Sequence, residues 1–142
     1  TFHYTEEIGF LILTIDGDIR VNNILALKKE LQTLVNDPNH VAMNLEKVPY
    51  VDSSGLSLFV NMHKRLSAQN RIFCMFNFTG EVEKLFREAN LGNVVKLYPT
   101  KPDFVQDNVK SVVDELYGRF VDIVADDQGP ALHGTWLLEV GP

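Results

Sequence analysis

The apolar positions along this chain change period several times, and each change marks an element. "EIGFLILTIDGDI" is almost continuously apolar from Phe10 to Ile15 and then meets Asp16-Gly17-Asp18, the pattern of a strand followed by a turn. Residues 2–6 add an edge strand ahead of it. Ile24, Leu27, Leu31 and Leu34 then recur at helical spacing. Asn22 or Asn23 is placed to cap that helix, Pro38 lies beyond its end, and Lys28, Lys29 and Glu30 fall off the stripe toward water. "VAMNLEKVPYV" predicts a second strand over at least Val41–Leu45, with Pro49 marking an edge, bend or loop.

A helix follows from about Gly55 to Ala68, with Leu56, Phe59 and Val60 as its buried stripe, joined by Met62 and Leu66. "RIFCMFNF" is apolar on both faces, as in a sheet covered by helices. "TGEVEKLFREANLGN" sets Val82, Leu85, Phe86 and Ala89 in helical register, with Thr79 to cap its start and Asn90 or Gly92 to end it. "VVKLY" is a short fourth core strand. "TKPDFVQDNVKSVVDELYGRF" is a last helix, Pro102 in its first turn and Val105, Val109, Val112 and Leu116 on its apolar face. Strands alternating with helices predict an α/β sheet that is at least partly parallel. After about residue 118, Asp126-Asp127-Gln128-Gly129-Pro130 reads as a break and a solvated acidic loop. For the tail beyond it three fates stay open: covering a sheet edge, exchange with a neighbouring chain to make a homodimer, or disorder.

Composition narrows the function classes. The 142 residues carry a net charge of −6, which disfavours nucleic acid and anionic membrane surfaces as partners. No stretch approaches the roughly 20 apolar residues of a membrane span, and "TFHYTEEIGF" lacks the basic and apolar regions of a secretory signal. The single cysteine, Cys74, sits in a buried strand and excludes an internal disulfide, which fits a reducing, cytoplasmic setting.

The junction "VDSSGLS" carries the most chemistry. Asp52, Ser53 and Ser54 stand in a row where a strand gives way to a helix, and Gly55 lets the chain bend there. One of them suffices for a helix cap. Three readings stay open: a plain cap, a catalytic nucleophile, or a hydroxyl that another protein modifies. The nucleophile reading lacks the G-x-S-x-G elbow, and His63, further along the helix, reads as a packed or half-exposed histidine. His3, His40 and His133 show no metal-ligand spacing, and His40 reads as loop. No phosphate-binding glycine loop is present, and no cofactor is implied. The modification reading has a physical basis: a phosphate brings about −1.5 to −2 charges to a helix N-terminus, where the dipole favours them.

The stretch "VPYVDSSGLSLFVNMHKRL" resembles the STAS domain family, and within it the bacterial anti-sigma factor antagonists. "LILTIDGDI" and "RIFCMFNFTGEVEKLFREANLGNVVKLYPT" support the resemblance, which covers about Glu7 to Leu116. It implies a STAS-like α/β fold, a mixed four- to five-stranded sheet with about four helices, in a domain over residues 1–118 with a C-terminal extension over 119–142. It also implies a mechanism without catalysis by this chain. An anti-sigma factor that is a serine kinase of the histidine-kinase-like ATPase type binds the unphosphorylated antagonist, phosphorylates Ser53 and is released. A PP2C-type phosphatase resets the cycle. Asp52, Ser53, Ser54, Gly55, Leu56 and Ser57 are then the partner-binding residues. Asp52 positions and polarises the site, and Ser54 is the back-up phosphoacceptor. Ser57 stands where many relatives carry glycine, and "IRVNN" replaces the more usual acidic and small residues. The other implied role is a non-switching STAS scaffold or adaptor in a signalling or transport complex.

Overall fold

A computed structural model describes residues 2–127 of the backbone and side chains to residue 121. In chain order the elements are β1 (Phe2–Glu7), β2 (Phe10–Asp16), α1 (Ile24–Val35), β3 (His40–Lys47), α2 (Ser53–Ser67), β4 (Phe73–Phe76), α3 (Gly80–Glu88), β5 (Lys96–Tyr98) and α4 (Lys101–Asp127). A single turn of 3-10 helix, Leu91–Asn93, sits between α3 and β5. The chain divides into two compact units, Thr1–Phe104 and Val105–Pro142.

The first unit holds one sheet in the order β1-β2-β3-β4-β5. β1 runs antiparallel to β2, and the other pairs are parallel. The mixed α/β sheet is the one that the sequence predicts. The β1–β2 hairpin turns on Ile8 and Gly9, both at positive φ, as a two-residue loop requires.

Period-two alternation assigns the strand residues to two cores. Leu13, Ile15, Val41, Met43, Leu45, Phe73 and Met75 meet Leu27, Leu31 and Leu34 of α1, Phe59, Met62 and Leu66 of α2, and Val82 and Phe86 of α3. Phe10, Cys74 and Phe76 are also buried, but outside that cluster. There Phe104, from the start of α4, stacks on Phe76 at 4.7 Å between centroids and meets the edge of Phe10 at 5.0 Å. Burial on both faces is why "RIFCMFNF" shows no alternation.

Several expectations need correction. β4 is shorter than its apolar run. Arg71 turns away to donate to the carbonyls of Val35 (2.6 Å), Leu34 (2.9 Å) and Asn39 (2.8 Å), closing the C-terminus of α1. At the other end Asn77 takes a positive φ, and its Oδ1 accepts the N–H of Lys101. His40 is not loop but the first residue of β3, and its Nδ1 accepts the Ile72 N–H at 2.9 Å. Leu56 and Val60 are half-buried, so Phe59, Met62 and Leu66 make the inner stripe of α2. α4 continues to Asp127, so Asp126 and Asp127 belong to its last turn and not to a loop. In the second unit Val109, Val112, Val113, Leu116 and Tyr117 are exposed along that helix. His133 and the tail after Asp127 lie outside the described residues.

Candidate functional site

Two loops at the carboxyl ends of β2 and β3 zip together below the start of α2. The Gly17 N–H donates to Lys47 O (3.0 Å), the Ile19 N–H to Tyr50 O (2.9 Å) and the Asp52 N–H to Ile19 O (2.9 Å). Ile19 and Val51 pair as an isolated parallel bridge, and both side chains are buried. Gly17 makes the turn at φ +113°, a conformation open to glycine. Pro49 falls inside the second loop, where no ladder hydrogen bond is asked of it.

Asp52 is the N-cap of α2, in extended conformation. Its Oδ1 accepts the N–H groups of Ser54 (2.9 Å) and Gly55 (3.2 Å) and the Ser54 hydroxyl. Its Oδ2 accepts the N–H of Val21 at 2.8 Å, from the other loop. The Ser54 hydroxyl, helped by the backbone N–H groups of Val21, Gly55 and Ser54, holds the carboxyl below its ordinary range against desolvation. Asp52 is therefore an ionised clamp with both oxygens occupied.

Ser53 is the first residue of α2 and is exposed. Its side chain enters no hydrogen bond among the described residues. Ser54 is half-buried with its hydroxyl committed to Asp52. Gly55 is buried: a Cβ there would lie 2.6 Å from Val51 Cγ1 and 2.9 Å from Ile19 Cγ2. Glycine is what lets the helix start rest on the zipped loops. Leu56 packs against the core from a half-buried position, and Ser57 is exposed. These two line a shallow depression with Val60, Asn61, Ala89 and Leu91. The six predicted positions thus share one helix turn or two; Ser53 and Ser57 are exposed, Asp52, Ser54 and Leu56 half-buried, and Gly55 buried.

The "IRVNN" segment builds the neighbouring wall. Asn23, predicted as a cap of α1, makes no capping bond; it accepts the Arg20 N–H and donates to Asp18 O, folding the loop on itself. The Arg20 guanidinium lies 4.2 Å from the centroid of the Tyr50 ring and pairs with Asp18 at 3.1 Å. Val21 and Leu25 stand exposed beside it at 73% and 62%. The tie between Val21 and Asp52 had no signal in the sequence, because it uses a backbone N–H.

His63 is ten residues on from Ser53, roughly 15 Å along the helix. Among the described residues no cluster of His, Cys, Asp and Glu has the makings of a metal site. No described helix is long and apolar enough to cross a membrane.

The STAS domain profile matches residues 2–104, the stretch that carries the whole sheet and the start of α2. The chain belongs to the STAS domain family. The anti-sigma-B factor antagonist of Staphylococcus aureus is 26% identical to this STAS domain over 92 residues, covering 64% of this chain and 85% of that one. Among solved structures, an anti-sigma factor antagonist from Mycobacterium paratuberculosis superimposes with a TM-score of 0.67 at 19% identity, over 79% of this chain and 92% of that one. The Bacillus cell fate determinant SpoIIAA in its phosphorylated form gives a TM-score of 0.56 at 16% identity, over 75% and 98%. These two share the STAS fold with this chain.

Proposed function

We propose that this STAS domain is an anti-sigma factor antagonist that works by partner switching, with Ser53 as the phosphorylated residue. In this reading the unphosphorylated face around Asp52–Ser57 binds an anti-sigma factor serine kinase of the histidine-kinase-like ATPase type. The kinase transfers the γ-phosphoryl group of ATP to Ser53 Oγ, the hydroxyl loses its proton, ADP is left, and the complex separates. A PP2C-type phosphatase hydrolyses the ester and restores the hydroxyl. The kinship with named antagonists supports the general role.

The observation that carries the choice of residue is the division of labour between the two serines. Ser54 spends its hydroxyl on Asp52, while Ser53 keeps its own exposed and uncommitted. The same arrangement supports release. Asp52 already holds the N–H groups of Ser54 and Gly55. A phosphate on Ser53 then adds its charge beside an ionised carboxylate without those donors to neutralise it. A partner fitted to a neutral hydroxyl meets an uncompensated charge, which costs several kcal/mol when buried. About 1.4 kcal/mol is tenfold in affinity, so release by a factor of roughly a hundred or more is accessible.

The test is peptide mass spectrometry of protein purified from its own cells, with and without phosphatase, paired with capture of bound proteins on wild type, Ser53→Ala and Ser53→Asp. The reading requires phosphate on Ser53 and a kinase retained by Ser53→Ala and lost from Ser53→Asp. Equal retention of that kinase by wild type and Ser53→Asp removes the switch and leaves a non-switching scaffold.

A further inference from the structure

Away from Ser53, on the C-terminal half of α2, a trough of about 390 Å³ separates α2 from α1. Its floor is apolar, with Leu31 and Met62 buried and Leu58 half-buried. Its rim is basic: Lys28 from α1, Lys64 and Arg65 from α2. No acidic residue lines it, although the chain carries 19 acidic residues against 13 basic ones. None of the three cations is ion-paired among the described residues.

Helix electrostatics account for part of this. Lys64 and Arg65 occupy the last turn of α2, where the dipole favours cations. Lys28 gains nothing of the kind. It is the fifth residue of α1, past the first turn, where the dipole gives it no support. Three like charges gathered round one apolar depression repel one another, and an anion relieves that repulsion. The volume falls in the range of small-molecule pockets, about 300–1,000 Å³, and so does the mix of apolar floor and a few convergent polar groups.

We propose that the α1–α2 trough binds an amphiphilic anion. A medium-length acyl chain lies on Leu31, Leu58 and Met62, and its carboxylate or phosphate head sits among Lys28, Lys64 and Arg65. The proposal is independent of the Ser53 switch, since it uses none of the residues Asp52 to Ser57.

The test is calorimetric titration and methyl NMR of the full chain with decanoate and with decyl phosphate, both below their micelle concentrations. Decanol and inorganic phosphate serve as controls that each carry half of the ligand. The expected result is binding of both amphiphiles with shifts at the methyls of Leu31, Leu58 and Met62, and binding of each control weaker by roughly tenfold or more. Lys28→Glu and Arg65→Glu are exposed substitutions that leave the fold intact by circular dichroism, and each weakens decanoate by roughly tenfold. Decanol binding as well as decanoate, charge reversals without effect, shifts centred elsewhere, or no binding at millimolar ligand each overturn the proposal. So does binding to phosphatidylglycerol vesicles without binding of the monomeric ligands, which makes the basic rim a lipid-surface contact.

Discussion

Asp52 Oδ2 accepts the backbone N–H of Val21 at 2.8 Å, while the other oxygen of the same carboxylate caps α2. One side chain thus joins the β2–α1 loop to the helix that begins with Ser53. The placement of the candidate phosphoacceptor depends on a contact between residues 31 positions apart.

The first prediction concerns that carboxylate. Its pKa lies below the ordinary 3.8, with the Ser54 hydroxyl as the largest cause. Titration by carbon-13 NMR is expected to place it there, and Ser54→Ala to move it back up. By linkage, the stability this group confers is present in full above 3.8 and is lost as the pH falls through the lowered value. An Asp52 that titrates normally in wild type, or is unmoved in Ser54→Ala, removes the clamp.

Gly55→Ala tests the close approach of helix and loops. The added methyl meets Val51 and Ile19 at 2.6 Å and 2.9 Å, and neither neighbour is a flexible chain end. Overpacking of this kind costs about 1–3 kcal/mol in urea denaturation. The strain falls at the first turn of α2, so amide shifts should spread from Ser53 to Arg20. A neutral substitution shows that the loops yield freely.

His40 supplies a pH dependence near neutrality. Burial first, and the charge of Arg71 second, hold its pKa below 6.5. The neutral ring is also the form whose Nδ1 accepts the Ile72 N–H. The unfolded chain takes up the proton first, so stability is complete above 6.5 and declines as the pH falls from there toward the lowered folded-state value. Urea midpoints measured between about pH 8 and pH 5 should show that decline in wild type, and His40→Gln should flatten it. The same slope in both proteins assigns the effect to another group.

Arg71→Ala removes four donor contacts at once: to Val35 O, Leu34 O, Asn39 O and Gln69 Oε1. The carbonyls at the end of α1 lose both a cap and a compensating charge. A loss of about 2–4 kcal/mol is expected. Arg71→Lys should recover only part of it, because one ammonium cannot span those acceptors as the guanidinium fork does. Full recovery by lysine would mean that charge alone matters.

Ile8 offers the opposite sign. It holds φ at +47° in the β1–β2 turn, a region that a β-branched residue enters at a cost. Ile8→Asn gives the Asn-Gly pair that such two-residue turns favour, and a gain of about 1 kcal/mol is expected. A destabilised variant shows instead that the half-buried isoleucine side chain contributes more than its backbone costs.

Much of this structure was legible in the chain because local period and turn chemistry agree with the fold. The stripe Ile24-Leu27-Leu31-Leu34 made α1, the Asp16-Gly17-Asp18 turn ended β2, and the apolarity of "RIFCMFNF" announced a sheet covered on both faces. The cap of α2 was legible too, although three residues competed for it; geometry awarded it to Asp52. At His40 and Arg71 the sequence pattern was overruled by a distant partner. His40 joined β3 because Ile72 donates to it, and β4 lost Arg71 to the end of α1.

The sequence by itself determined the order of strands and helices, the α/β class and the resemblance carried by "VDSSGL", since these rest on spacing and on residues next to one another. Tertiary structure alone decided which serine keeps a free hydroxyl, why position 55 admits only glycine, and which cations share a trough. Those properties arise from backbone donors and side chains brought together from separate loops and helices, and a one-dimensional pattern carries no record of such distances.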